Sequence, residues 1–510
     1  FAEGKGKPMK KVLSILLVLL LALSILPAAA FAEGPAVVLS PQNLRVNGVK
    51  INCEKYNIDN SNYFKLRDIA LVLSGTGSEF SVNWDGEKKC ISIVTGEAYE
   101  PNGSELDLSG GDKSDTAVPG TDTILINGEA RSDLSAYKLG GNNFYKLRDL
   151  GDALGFAVDY DKESNTAIVI SKAYSWVTPW RIDEYYEKNN SGWLDHSVTT
   201  YDENGRALSS LNENGDYWER TDYFYNDLGY RVGESFEYSS NYGDEQYEHH
   251  SYTTAYYDKW GQLEKEITVS SGTGSSGEEV REVTYTYDEN GRLLRHEDLS
   301  PYNHTLVENT YDQRGYMVRS TYSYSDMVSY TTEYVRDEEG NILQEKCINA
   351  DGTERYSYEY TYENGRTSTE IYVNGDYRSV STYTYDDNGN LLVRSTDSND
   401  WDSESSYTYD EEGRQTSYTY YNGADLFTTT YTYDEEGRRL HTEYSSPDGD
   451  YVTDYTYDEE GRPLSENYVG TDFTRLTAYS YDLAEMKRTQ TVTTTFPAAT
   501  ELVISSTELN

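Results

Sequence analysis

The fold is decided by the stretch from Tyr407 to Arg462, in which Tyr-Thr-Tyr-Asp-Glu-Glu-Gly-Arg occurs three times. Its anchor tyrosines, Tyr409, Tyr433 and Tyr457, are evenly spaced along the chain. A fixed period of this size is typical of repeat proteins, in which each unit packs on its neighbours. Weaker Tyr-Asp copies extend the series in both directions, which predicts about twelve units in residues 192–482.

Each unit has the pattern of two β-strands joined by tight turns. Thr and Tyr alternate in Tyr-Thr-Tyr, and both residue types favour strands. Turn sequences such as Asp-Glu-Glu-Gly place Gly where a positive φ is needed. Two strands per unit predict a mainly β fold with a long antiparallel meander of about 24 strands, coiled or forming an open shell. Because side chains alternate between the faces of a strand, the Tyr rings are expected to form a lattice on one face.

The repeat anchors are the residues that recur at equivalent positions of the units. They are interpreted as structural residues that hold each turn to its neighbour. The successive aspartates predict an acidic edge, partly neutralised by the arginines, on which weak Ca²⁺ binding is an open alternative. The anchors are Tyr201, Asp202, Tyr287, Asp288, Tyr385, Asp386, Tyr409, Asp410, Gly413, Arg414, Tyr433, Asp434, Gly437, Arg438, Tyr457, Asp458, Gly461 and Arg462.

Composition narrows the class of protein. The 510 residues carry a formal net charge of -45, which argues against a nucleic-acid partner because the phosphate backbone would be repelled. The chain contains 51 Tyr, and any core of the repeats must be built largely from their rings. Regularly spaced aromatic residues also argue against disorder, which acidity alone would suggest.

Residues 1–32 predict export. Lys10 and Lys11 precede an apolar run of residues 12–26, and small residues up to Ala32 follow. This is the pattern of a secretory signal peptide, preceded here by a short extension, and the run is short for a membrane span. The chain is therefore expected to be secreted, with no membrane span after signal cleavage.

Residues 36–172 contain a second duplication. Asn62-Tyr63-Phe64-Lys65-Leu66-Arg67-Asp68 returns later in the chain as Asn143-Phe144-Tyr145-Lys146-Leu147-Arg148-Asp149. Each copy predicts a hairpin, a short helix and a strand pair. The half-units are assigned to residues 36–97 and 123–172, and the Gly/Ser/Asp-rich residues 98–122 between them are expected to be a flexible linker.

The remaining segments and side chains give weaker signals. Residues 173–191 are interpreted as an aromatic junction that caps the first repeat, and residues 483–510 as a C-terminal cap or tail. Cys53 and Cys90 are a candidate disulfide, although three small buried side chains fit the cysteines equally well. No catalytic, phosphate-binding or metal-ligand motif is present, so we expect a non-enzymatic protein without a cofactor.

Two resemblances follow from these motifs. Residues 36–172 resemble the stalk domain of secreted Gram-positive proteins that is labelled copper amine oxidase N-terminal-like, which implies a spacer or binding module near the cell wall. The Tyr-Asp-x-x-Gly-Arg units of residues 192–482 resemble the YD-repeat (Rhs-like) family. Members of that family form adhesion ectodomains or hollow shells around a toxin, but a toxin-sized C-terminal domain is not found here.

Together the resemblances imply a secreted, non-enzymatic scaffold or adhesion protein, with noncovalent attachment to the cell wall as an option. Its expected partner is cell wall, an extracellular glycan or a protein. The alternative is a polysaccharide- or cell-wall-binding protein that uses the Tyr faces of the repeats. A further alternative is a carrier or remnant of a toxin-delivery system.

Overall fold

A computed structural model describes residues 35–173, 180–190, 192, 194–242, 245–275 and 277–496. The predicted signal peptide, residues 174–179 of the predicted aromatic junction and residues 497–510 lie outside these ranges. The chain divides into two compact units, and the mainly β fold class is confirmed. The first unit contains residues up to Leu44 and Ile51–Val169, and the second contains Arg45–Lys50 and the residues from Ile170 onward.

The first part of the chain forms fourteen short strands and two α-helices, and each helix begins within one copy of the duplicated motif. Helix α1 spans Leu66–Leu73 and helix α2 spans Leu147–Leu154. The strands are β1 (Val37–Leu39), β2 (Asn43–Val46), β3 (Val49–Ile51), β4 (Lys55–Ile58), β5 (Ser61–Lys65), β6 (Phe80–Asp85), β7 (Cys90–Thr95), β8 (Val118–Pro119), β9 (Thr123–Ile126), β10 (Glu129–Ala130), β11 (Ala136–Leu139), β12 (Asn142–Lys146), β13 (Ala157–Asp161) and β14 (Thr166–Ile170).

The two motif copies pair with each other at the centre of a six-stranded sheet of order β1-β4-β5-β12-β11-β8. Phe64 of β5 lies opposite Tyr145 of β12, and these two residues are equivalent positions of the duplication. The copies are thus related by an approximate two-fold axis through this pair. A second sheet, β10-β9-β7-β6, takes one hairpin from each copy, so the halves are interleaved rather than separate.

The segment 98–122 is packed rather than the flexible linker that its composition predicted. The Leu106 amide donates to Asp68 Oδ1 at 3.0 Å, and Lys65 Nζ donates to Ser104 O at 2.5 Å. Tyr99 is buried and accepts a 2.9 Å hydrogen bond from Arg67. Polar side chains of the first motif copy therefore hold the segment, a set of contacts that its Gly/Ser/Asp composition does not reveal.

Residues 182–495 form a closed barrel of 25 strands, in which sequence neighbours pair antiparallel. The strands are β15 (Ile182–Asn189), β16 (Leu194–Tyr201), β17 (Ala207–Asn214), β18 (Tyr217–Tyr225), β19 (Arg231–Tyr242), β20 (Glu245–Tyr257), β21 (Leu263–Gly272), β22 (Glu279–Tyr287), β23 (Leu293–Leu299), β24 (His304–Tyr311), β25 (Met317–Tyr324), β26 (Met327–Arg336), β27 (Ile342–Asn349), β28 (Glu354–Glu363), β29 (Arg366–Asn374), β30 (Tyr377–Tyr385), β31 (Leu391–Ser398), β32 (Ser403–Tyr409), β33 (Gln415–Tyr421), β34 (Leu426–Tyr433), β35 (Arg439–Ser445), β36 (Tyr451–Tyr457), β37 (Pro463–Gly470), β38 (Thr474–Asp482) and β39 (Lys487–Thr495).

The sequence predicted a coiled sheet or an open shell. That prediction is wrong, because the strands close into a barrel. The predicted junction contributes β15 and the predicted tail contributes β39, and these two strands pair in parallel along Ile182–Asn189. The parallel pairing follows from the odd number of strands, because the first and last strands of an odd meander run in the same direction. We call this pair the seam.

The barrel wall is a single sheet with two different faces. In β36, Tyr451, Thr453, Tyr455 and Tyr457 share one face, which we call the tyrosine face, while Val452 and its alternating neighbours share the other, the polar face. The Tyr lattice is present, since Tyr451 lies 4.6 Å from Tyr444 and 4.9 Å from Tyr468 between ring centroids.

Few apolar side chains are buried in the described wall. The barrel buries Val283, Cys347 and Val492, whereas the first unit has an apolar core around Tyr56 and Phe144. A ring of 25 strands spaced about 4.8 Å apart is roughly 40–50 Å across. A circular ring of this diameter is too wide for side chains from opposite walls to meet.

A carboxylate between tyrosines as candidate functional site

The repeat anchors form a turn that recurs around one rim of the barrel. In the last copy of the motif, the Asp458 amide donates to Arg462 O at 2.9 Å and the Gly461 amide donates to Asp458 O at 3.0 Å. Asp458 Oδ1 accepts from the Arg462 amide at 2.8 Å, and Oδ2 accepts from Arg462 Nε at 2.5 Å. Gly461 has φ 83°, which explains the glycine. The same Asp–Arg pairing joins Asp202 to Arg206, Asp288 to Arg292, Asp410 to Arg414 and Asp434 to Arg438.

The anchor tyrosine ties each turn to the preceding one. Tyr433 Oη donates to Gln415 O at 2.7 Å, and the guanidinium carbon of Arg414 lies 5.2 Å from the centroid of the Tyr433 ring. Tyr287, Tyr385, Tyr409 and Tyr457 likewise donate to a main-chain carbonyl at the start of the preceding strand. At Asp386 the partner is Asn390 rather than an arginine, while at Tyr201 the main-chain amide donates to Arg181 O at 2.9 Å.

The acidic edge is a row of local ion pairs. Burial pulls the pKa of Asp410, Asp434 and Asp458 upward, but hydrogen bonds from the paired arginine side chains and amides outweigh it, so each pKa is lowered. Among the described residues, no three His, Cys, Asp or Glu side chains are grouped to hold a metal ion. Weak Ca²⁺ binding stays a prediction.

The cysteines are free thiols in the structure rather than the candidate disulfide. Cys53, in the loop after β3, and Cys90, at the start of β7, are both buried, as is Cys347. Desolvation raises the pKa of the Cys53 thiol to about 12, which suppresses the thiolate needed for reaction. This arrangement corresponds to the alternative of small buried side chains.

The strongest candidate for a binding function is Glu345, in the middle of β27 on the tyrosine face. The strand register places Glu345 between Tyr334 of β26 and Tyr358 of β28. Tyr356 Oη donates to Glu345 Oε1 at 3.4 Å, and Glu345 itself is partly exposed. A carboxylate flanked by aromatic rings attracts a cation both by its charge and through the ring faces.

The tyrosines around Glu345 stay neutral over the physiological range. Desolvation is the largest cause of the raised pKa of Tyr334 and Tyr358, and the negative charge of Glu345 adds to it. Desolvation, together with Cys347 and Glu345, raises the pKa of Tyr356 to about 12. Neutral rings leave the carboxylate charge uncancelled by any cation of the described chain within ion-pair distance.

A neighbouring site shows how this wall holds a cation. Glu370 accepts a 3.4 Å hydrogen bond from Tyr383, as Glu345 does from Tyr356. There, however, the Arg394 guanidinium lies 3.8 Å from the Glu370 carboxylate and 5.5 Å from the Tyr383 ring centroid. The Glu370 site is therefore occupied by a cation of the chain itself, whereas the Glu345 site is not.

Sequence reasoning missed these carboxylates because it concentrated on the turns. The available signal was an acidic residue in phase with the alternating tyrosines once neighbouring strands are placed in register. Other carboxylates on the tyrosine face that contact a Tyr hydroxyl include Glu187, Glu219, Glu266 and Glu466.

Comparisons with known proteins assign no family to this chain. No protein-family model matches the chain, and no curated protein matches it. Among solved structures, a porin-like protein from Bacteroides uniformis matches at 15% identity, covering 55% of this chain and 98% of that chain with a TM-score of 0.18. An overlap of this size does not transfer a function.

The resemblances to the YD-repeat family and to the copper amine oxidase N-terminal-like stalk domain are corrected by these findings. The YD-repeat strands were expected to form an open or coiled repeat sheet, but they close into a barrel. The two stalk half-units were expected to be separate, but they share sheets, and no family model matches the chain. The predicted secreted scaffold and the toxin carrier depended on the YD-repeat resemblance, and they are corrected with it. The polysaccharide-binding alternative assumed the Tyr faces of an open repeat sheet, and the closed barrel corrects it as well. Within the described residues, no helix is long and apolar enough to cross a membrane.

Proposed function

We propose that the protein is a non-catalytic binding protein that retains organic cations on the tyrosine face of its barrel. Glu345 carries the proposal, because it is a partly exposed carboxylate flanked by Tyr334 and Tyr358 with no cation of the described chain beside it. The guanidinium held by Glu370 and Tyr383 supports it, since it shows the wall accepting that class of ion. The N-terminal sequence supports a location outside the cytoplasm.

Both the net charge of the whole chain and the local tyrosine rings favour the binding of a cation. The formal net charge of -45 concentrates positive solutes near the protein, and a tyrosine ring attracts a cation over its face. A quaternary ammonium or guanidinium ion is weakly hydrated compared with a primary ammonium ion, so it loses less on leaving water for the rings. Small inorganic cations are therefore expected to bind less well than organic ones.

Calorimetric titration with choline and with agmatine tests the proposal, with sodium chloride added to equal ionic strength as the reference. Glu345→Gln keeps the shape of the side chain and removes its charge, so affinity is expected to fall roughly tenfold. The matched control is Glu333→Gln, which removes a carboxylate of the polar face in the adjacent strand β26. Equal affinity of both variants would contradict the proposal, because the attraction would then come from net charge alone.

The closed barrel also favours a second candidate, passage of solutes through the ring. A barrel that crosses a lipid bilayer presents an apolar band on its outer side. Here the polar face carries cross-strand pairs such as Lys265–Glu282 and His441–Asp454, while the tyrosine face carries carboxylates such as Glu345. We therefore favour a barrel surrounded by water. Solute-dependent swelling of liposomes reconstituted with the protein would support passage instead.

A further inference from the structure

A second site lies in the first unit, in a cavity of about 260 Å³ between the six-stranded sheet and the sheet that contains β6 and β7. The side chains that matter here are Arg67, Trp84, Asp122, Lys138 and Asn143, all of which line the cavity. Asp122 accepts hydrogen bonds from Lys138 Nζ at 3.3 Å and from Asn143 Nδ2 at 3.2 Å. The cavity is thus lined by charged and polar side chains that are held in place by hydrogen bonds to one another.

Asn143 has an acceptor that no protein donor reaches. Its Oδ1 is buried and has no hydrogen-bond partner among the described residues. A buried acceptor without a donor is costly, typically by about 1–3 kcal/mol. The site is therefore incomplete as the protein stands alone, and a ligand that donates a hydrogen bond would complete it.

The equivalent residue of the other motif copy shows what is missing. Asn62 Oδ1 accepts from Ser40 Oγ at 2.8 Å and from Asn57 Nδ2 at 3.1 Å, while Asn62 Nδ2 donates to Gln42. In the second copy, Asp122 occupies the position that is equivalent to Gln42 in the first copy. The two donors, however, are replaced by Gly120, which has no side chain, and by Lys138, which pairs with Asp122.

The cavity also offers a positive group and an aromatic surface. Arg67 donates to Tyr99 Oη at 2.9 Å, and within the described chain no carboxylate lies at ion-pair distance from its guanidinium. Trp84 is 55% exposed. A guanidinium without a carboxylate partner can pair with an anionic group of a ligand.

We propose that this cavity binds a small zwitterion, a free α-amino acid with an apolar side chain. Its ammonium group would donate to Asn143 Oδ1 beside the Asp122 carboxylate, its carboxylate would meet Arg67, and its side chain would lie on Trp84. Each of the three groups on the cavity wall then has one complement on the ligand. The volume of about 260 Å³ admits one amino acid.

Calorimetry with L-leucine tests the proposal, using 4-methylpentanoate and isoamylamine as ligands that lack the ammonium and the carboxylate group. Leucine is expected to bind at least tenfold more tightly than either. Arg67→Gln is expected to weaken leucine binding at least tenfold, whereas Arg148→Gln, at the equivalent exposed position of the second copy, is expected to leave it unchanged.

A second pair of variants protects the test against misfolding. Trp84→Leu changes an exposed side chain and is expected to weaken leucine binding severalfold, whereas Tyr160→Leu, at the corresponding position of the second copy, is expected to have no effect. Absence of leucine binding to the unmodified chain would overturn the proposal. So would unchanged binding by Trp84→Leu and Arg67→Gln, or equal binding of 4-methylpentanoate, which would mark an anion site only.

Discussion

The seam and the repeated hairpins close the same barrel by different means. Neighbouring strands of a hairpin are joined by a covalent turn, and the Asp458–Arg462 pair fixes that turn internally. The seam strands β15 and β39 are joined by no turn and pair in parallel, which is slightly less stable per residue. In place of a turn, the seam carries ion pairs between side chains that lie outside the Tyr-Asp pattern.

Three ion pairs cross the seam between strands that are far apart in the chain. Arg488 Nε donates to Asp183 Oδ1 at 2.9 Å, and its Nη2 also contacts the Asp183 carboxylate. Lys487 Nζ lies 2.5 Å from Glu184, and Arg475 Nη2 lies 2.8 Å from Glu187. Trp180 stacks on Tyr481 beside them, with ring centroids 5.1 Å apart.

The largest effect is expected from removing β39. A chain that ends at Asp482 would leave β15 and β38 as long unpaired edges, and such edges pair with other chains. We expect this variant to aggregate, as measured by light scattering during size-exclusion chromatography. If it remained a monomer with unchanged thermal unfolding, the seam would not be what closes the barrel.

The matched control removes one complete period elsewhere in the wall. Deleting residues 415–438 takes out β33 and β34 and joins Arg414 to Arg439 in the same phase of the repeat. The seam is retained and the number of strands stays odd. We expect a soluble monomer with a slightly smaller barrel, although this deletion removes more residues from strands than the truncation does.

This contrast also explains which parts of the fold the sequence predicted. The even spacing of the Tyr-Asp anchors identified the hairpins and their turns, because local patterning sets strand and turn positions. Closure depends on β15 and β39, whose sequences do not follow the Tyr-Asp pattern, so they were taken for a junction and a tail. The interleaving of the motif copies was equally invisible, since pairing between Phe64 and Tyr145 leaves no local signal.

The candidate sites could not be predicted for the same reason, because their residues are far apart in the sequence. The groups at Glu345 come from three strands, and only the register between β26, β27 and β28 brings them together. Among the described residues, Asn143 Oδ1 lacks a donor because Gly120 has no side chain. The sequence alone does not show which residues lie beside Asn143. Repeat anchors were visible because their partners lie close by in the same turn.

A smaller effect is expected when the seam is neutralised by acid. Burial pulls the pKa of Glu184 up, but Lys487 and its other partners lower it overall, and the Tyr185 and Arg475 contacts lower that of Glu187. Carboxylates with a lowered pKa in the folded state contribute stability above their ordinary value near 4.5 and lose it as pH falls through the lowered pKa.

We therefore expect the Glu184→Gln/Glu187→Gln variant to unfold at a lower temperature than the unmodified chain at pH 7. The two melting temperatures should converge as the pH falls below about 4. The control is Glu436→Gln/Glu460→Gln, which removes similar contacts to Arg438 and Arg462 inside covalent turns. If the melting temperature fell as much in the control as in the seam variant, the seam carboxylates would stabilise the barrel no more than the turn carboxylates do.

The smallest effect is expected within the repeats themselves. Tyr433→Phe removes the hydroxyl that donates to Gln415 O at 2.7 Å and leaves the ring beneath Arg414 in place. Loss of one such hydrogen bond is expected to lower the free energy of unfolding by about 1 kcal/mol, measured by urea denaturation. Tyr431→Phe, on the same face two residues earlier, is the control, because its ring contact with Arg439 does not need the hydroxyl. If both variants lost the same stability, the tyrosine hydroxyls would be equivalent on this face and the anchor position would have no structural role of its own.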